Sequence, residues 1–250
     1  MQHLVGWFED VDQGNAAADI AAMPDETLFT SGDIVRVPAP IANLAGAAIV
    51  SAATTLTRAQ LQSPSLRTLA NYDIEPLNNA ATPANPPAIA MQPANPLPLM
   101  GDESLTMETL TDHAAAIEIY GFAWLVDGPL QPVQGQIFSV RFTTGITLAD
   151  GVWTNGNITF QQDLPFGDYQ VVGLSVRSAN LVAARLVFPG GRWRPGVLGR
   201  NAIGDVDNPH FRHGMSGVLG EFNSNTPPSL DAVGVTDTAQ VGILDLIKVG

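Results

Sequence analysis

Apolar and polar positions alternate with a period of two along much of the second half of the chain. Phe138, Val140 and Phe142 alternate with Ser139 and Arg141, and Val172, Leu174 and Val176 alternate with Gly173, Ser175 and Arg177. Val182, Ala184, Leu186 and Phe188 continue the rhythm on an adjacent segment. A period of two places one set of side chains on one face of a pleated strand, so these runs predict half-buried β-strands. Ile158 to Gln161, Val218 to Phe222 and Val241 to Val249 predict three more, and the first half adds Ile34 to Val37 and Ile117 to Phe122. Pro38, Pro76, Pro129 and Pro165 fall between such runs, where a missing amide donor does least harm to a ladder.

The chain also repeats itself. Ser104-Leu105 recurs as Ser229-Leu230, and Thr111-Asp112-His113-Ala114 as Thr236-Asp237-Thr238-Ala239, both 125 residues later. Leu56, Leu61, Pro64 and Arg67 correspond at the same offset to Leu181, Leu186, Pro189 and Arg192. At an offset of 124, Thr30-Ser31-Gly32-Asp33-Ile34 matches Thr154-Asn155-Gly156-Asn157-Ile158. A period of half the chain predicts two copies of one unit, with a boundary at Asp127-Gly128-Pro129. The Ala-rich run from Leu44 to Leu61 would be a helix by propensity alone. Its counterpart, Tyr169 to Leu186, is strand-like, so strands are expected in both. Seven to eight short strands in each half predict an all-β chain of two tandem jelly-roll sandwiches. The first spans residues 1–128 with a Pro-rich loop at 78–98, and the second spans residues 129–250 with a long loop at 205–225.

Composition narrows the chemistry. Among 250 residues, 45% are apolar and only 14% charged, with 24 Gly and 19 Pro, a mixture that suits short strands and turns. Cysteine is absent, which excludes disulfides and thiolate-bound metals. The first residues show neither a basic start nor a long apolar run, and no run reaches a membrane-spanning length, so a soluble protein made in the cytosol is expected. The net charge of −13 opposes phosphate backbones and argues against direct nucleic-acid binding. It is unevenly spread: residues 1–128 hold 3 Arg against 15 Asp or Glu, whereas residues 129–250 hold 7 Arg and Lys248 against 9.

Catalytic motifs do not emerge. The four histidines, His3, His113, His210 and His213, form no ligand set at metal-binding spacing, and His113 has become Thr238 in the other copy. Asp205-Val206-Asp207-Asn208 offers oxygen ligands but lacks the glycine and distal glutamate of a calcium loop. His213-Gly214-Met215-Ser216-Gly217 misses the spacing of a nucleophile elbow. We therefore expect no enzyme activity, no cofactor and no metal. The best candidate contact patch is Gly190-Gly191-Arg192-Trp193-Arg194-Pro195, an indole between two guanidinium groups on a glycine turn, with Arg185 nearby in sequence. Arg and Trp are enriched where protein surfaces meet.

Two tandem jelly rolls with long loops at matching places resemble the double jelly-roll major capsid proteins of tailless icosahedral viruses. The resemblance is architectural and carries no signature motif. It implies a viral structural protein of the virion, in which three chains form a pseudo-hexameric capsomer. It further implies synthesis in the host cytoplasm and contacts with neighbouring capsomers, other capsid proteins or an internal membrane. An acidic first copy meeting the Arg-bearing second copy of a neighbour would favour the alternating order. Two other classes compete. One is a carbohydrate-binding or adhesive β-sandwich using Trp7, Trp124, Trp153 or Trp193 as stacking platforms, and the other is a surface-layer protein.

Overall fold

The computed structural model describes the whole chain except residues 11–15, 52–55, 70, 79–90, 112–117, 201–207, 236–238 and 250, and the side chains of Leu77 and Asn78. It is all-β with several sheets, consistent with a β-sandwich of jelly-roll type. The chain divides into two compact units, Val5–Gly128 and Pro129–Gly250, the latter joined by Met1–Leu4. Most of the Pro-rich segment, His113, Asp205, Val206, Asp207 and the repeated Thr236-Asp237-Thr238 lie outside the described residues.

In the first unit the principal strands are β1 (Gln2–Glu9), β2 (Ile34–Arg36), β3 (Asn43–Ser51), β4 (Leu56–Gln62), β5 (Tyr72–Ile74), β6 (Leu97–Pro98), β7 (Ser104–Thr111) and β8 (Ile119–Val126). One sheet runs β6-β3-β8-β1 and the other β2-β7-β4-β5, with two-residue strands extending their edges. The second unit contains β9 (Ile137–Thr144), β10 (Thr154–Asn157), β11 (Asp168–Arg177), β12 (Leu181–Val187), β13 (Gly196–Leu198), β14 (Gly220–Asn223), β15 (Ser229–Gly234) and β16 (Gln240–Lys248). Its sheets run β9-β16-β11-β14, with the two-residue strand Thr159–Phe160 beside β9, and β10-β15-β12-β13. The two orders are identical when the eight principal strands are counted from the start of each unit.

Period-two patterning explains most of this. In β7, Leu105 and Met107 point inward while Thr106 and Glu108 stay half-exposed, the signature of a strand with one wet face. The Ala-rich run forms β3 and β4, not a helix. Its small side chains and Ile49 lie on a strand paired with β8, whose eight residues are all buried. Trp7, Ile20, Val35, Leu44, Leu105, Phe122 and Trp124 fill the first core, and Val140, Phe142, Tyr169, Leu174, Leu186, Leu230 and Leu244 the second.

Three expectations change. Gly32 and Gly156 are not equivalent: Gly32 is a turn residue at φ +62°, whereas Gly156 lies within β10 opposite Leu230. The repeat also carries a shift between ladders. Leu61 lies opposite Met107, but Leu186, 125 residues later, lies opposite Leu230, the sequence counterpart of Leu105. The second unit is thus two residues shorter between these strands. A shift of two keeps every side chain on its own face, which lets the sequence match survive. The β11 strand departs from half-burial as well, because the segment after Pro209–Phe211 docks on it. The Gly214 N–H donates to Val172 O at 2.7 Å and that of Leu219 to Val171 O at 2.8 Å.

Candidate functional site

The contact patch foreseen in the sequence is a hairpin between β12 and β13. Its tip is a turn in which the Gly191 N–H donates to Phe188 O at 2.9 Å, with Pro189 second and Gly190 third at φ +70°. That is the type II pattern, and the positive φ is why glycine stands there. Arg192 is exposed, and its guanidinium carbon lies 4.8 Å from the centroid of the half-exposed Trp193 ring. Trp193 meets the buried His3 ring edge-on, with centroids 5.9 Å apart. His3 Nδ1 accepts from the Arg194 N–H at 2.9 Å, and the Leu4 N–H donates to Arg194 O at 2.9 Å. The hairpin is therefore anchored on the first residues of the chain.

Beneath it sits Asp231 on β15, only 2% exposed. Arg185 Nε donates to its Oδ2 at 3.0 Å, Arg194 Nη1 to the same oxygen at 2.6 Å, and Asn155 Nδ2 to Oδ1 at 2.8 Å. The Arg185 guanidinium also covers the Trp153 ring at 4.3 Å and donates to Leu4 O at 3.2 Å. Being fully buried, Arg185 offers no surface to another chain. Its guanidinium is satisfied inside the unit, and Arg194 is mostly committed to the same carboxylate. The exposed patch contracts to Arg192 and Trp193.

A second buried carboxylate, Asp245 on β16, was not foreseen. It binds Arg212 through both oxygens and accepts from Ser139 Oγ at 2.6 Å and the His213 N–H at 2.8 Å. Burial alone would raise its carboxyl, but the hydrogen bonds from Arg212, Ser139 and His213, with the charge of Arg212, outweigh it and hold the group below 3.8. Ser139 lies on the polar side of the β9 alternation, the one sequence signal that pointed here. His210 and His213 belong to this covering segment. The His213 ring is 63% exposed, with Nδ1 3.5 Å from Asp245 Oδ2. Ser216 Oγ donates to the carbonyl of His210, so the loop is held by turn hydrogen bonds. Among the described residues no group of three or more His, Asp or Glu is placed to hold a metal ion.

Trp7 and Trp124, considered above as sugar platforms, are fully buried in the first core, and the Trp153 ring packs against the Arg185 guanidinium. Trp153 and Trp193 are both half-exposed, and Trp193 alone has its ring beside an exposed Arg.

No family model matches the chain, and no curated protein matches it. Among solved structures, the chain is similar over 100% of its length to 98% of the major capsid protein P2 from bacteriophage PM2, at 11% identity and a TM-score of 0.27. It is also similar over 98% of its length to 96% of N-glycanase F, at 9% identity and a TM-score of 0.24. Likeness at this level, shared by a shell protein and a glycanase, decides nothing about function. No helix among the described residues is long and apolar enough to cross a membrane.

Proposed function

We propose that this chain is a viral structural protein: a double jelly-roll major capsid protein that assembles as pseudo-hexameric trimers into an icosahedral shell and resides in the virion. The observation carrying this proposal is the identical order of the eight principal strands in each of the two units within one polypeptide. A closed threefold ring of such chains presents six similar walls, which lets a trimer occupy a hexagonal position in a shell.

The division of charge supports an alternating ring. The first half of the sequence is strongly acidic and the second close to neutral, so contacts of first unit with second unit avoid like-charge repulsion. Arg192 and Trp193 supply an exposed patch of the residue types that dominate such contacts. On this proposal the protein has no catalytic role, and its partners are copies of itself, other shell proteins or an underlying membrane. Light scattering on the eluting protein tests the assembly step. A particle of about three times the 26.3 kDa chain is expected, and a monomer at every concentration overturns it.

A further inference from the structure

We propose that the second unit binds a tetrahedral oxyanion of the phosphate or sulfate class in a pocket walled by Arg141, Arg177 and Arg200. The inference stands independently of the shell-building role. The pocket measures about 130 Å³ and is lined by these three guanidinium-bearing residues, Ser175 and residues Val241 to Ile243 of β16. That is several times the space a water molecule takes.

Strand register explains the gathering of charge. Arg141 on β9 and Ser175 on β11 both lie opposite Ile243, one on each side of β16. Arg177 lies opposite Val241, two residues along and therefore on the same face. Arg200 is brought in by an isolated parallel bridge to Arg177, its N–H donating to Val176 O at 3.0 Å. Its Nη1 lies 3.4 Å from Ser175 Oγ, which aligns a hydroxyl with the cationic wall.

Three other arginines of the unit set the contrast. Arg185 and Arg194 share Asp231, and Arg212 grips Asp245. Among the described residues, Arg141 and Arg177 have no ion-pair partner, and no carboxylate lines the pocket. In a chain carrying 24 Asp and Glu against 11 Lys and Arg, the exposed Arg141 and half-exposed Arg177 line one open cavity and offer an external anion a cationic site. Guanidinium forks suit phosphate oxygens, and four tetrahedral oxygens can meet three walls where a planar carboxylate cannot.

The test is calorimetric titration of the full chain with inorganic phosphate at constant ionic strength, beside acetate and with the double variant R141Q/R177Q. The expected result is saturable binding of one phosphate per chain, with acetate at least about tenfold weaker and the variant weakened by at least about tenfold. R67Q, at an exposed position in the first unit, keeps wild-type affinity. Should the double variant fail to fold, tungstate supplies the second test on unaltered protein: it competes with phosphate and gives an anomalous diffraction peak between Arg141 and Arg177. Absence of saturable phosphate binding, undiminished binding by the folded double variant, acetate binding as tight as phosphate, or a tungstate peak elsewhere overturns the proposal.

Discussion

Asp245 receives both arms of the Arg212 guanidinium, Nε donating to Oδ2 at 2.8 Å and Nη2 to Oδ1 at 3.0 Å. The pair clamps the segment after Pro209–Phe211 onto the sheet of β9, β16 and β11. Because the carboxylate is fully buried, removing its charge leaves Arg212 without its buried counter-ion. Asp245→Asn is expected to destabilise the protein by about 3 kcal/mol at pH 7, measured by urea denaturation. Since the folded-state carboxyl sits below 3.8, its contribution is complete well above that pH and is lost as pH falls through the lowered value. The gap between wild type and variant should close on acidification.

Gly173 makes the room that Asp245 occupies. A Cβ at this position would stand 2.3 Å from Asp245 Oδ2 and 3.0 Å from its Cβ. The carboxylate cannot swing aside while Arg212 and the His213 N–H hold it. Gly173→Ala should therefore cost about 2 kcal/mol in the same denaturation experiment. In combination with Asp245→Asn the two costs should fall short of additive, because both act on one cluster.

Arg185 is the internal counter-charge of Asp231. Arg185→Met keeps the bulk but leaves Asp231 with only Arg194 and Asn155, and the expected loss is about 3 kcal/mol. Trp153 loses the cation over its ring, so its emission should shift in the folded state. Intrinsic fluorescence against the wild type checks this.

Asp19 behaves in the opposite sense to Asp245. Partial burial, and repulsion from Asp33 and Glu108, hold its carboxyl above the ordinary 3.8. The folded state therefore prefers the protonated form, and stability declines as pH rises through that raised value. Asp19→Asn should raise the melting temperature at pH 7, and the advantage should vanish at pH 3. Paired thermal melts at the two pH values measure it.

Arg192 and Trp193 carry the proposed chain-to-chain contact. Changing both to Ala should leave a folded protein of wild-type circular dichroism that no longer forms trimers by light scattering. Unaltered trimers would remove the hairpin from the interface.

Much of the fold was legible because one physical signal, side-chain alternation, writes strands directly into the order of residues. β9, β11 and β12 were evident from it, and the repeat carried the strand reading across to Leu44–Leu61, where alanine propensity pointed to helix. Register was less legible. A two-residue shift between ladders leaves the alternation intact, so Leu105 and Leu230 align in sequence while Met107 and Leu230 hold corresponding places in the sheet. The charged sites were least legible. Nothing local separates Arg185, fully buried on Asp231, from exposed Arg192. Arg141 and Arg177 stood on the polar faces of two foreseen strands, but only β16 between them brings them to one cavity.

Negative-stain class averages of the purified, concentrated protein test the central claim most directly. Threefold particles with six near-equivalent lobes, packing into hexagonal arrays, are the predicted result. Isolated single chains at every concentration, or assemblies lacking threefold symmetry, would contradict it.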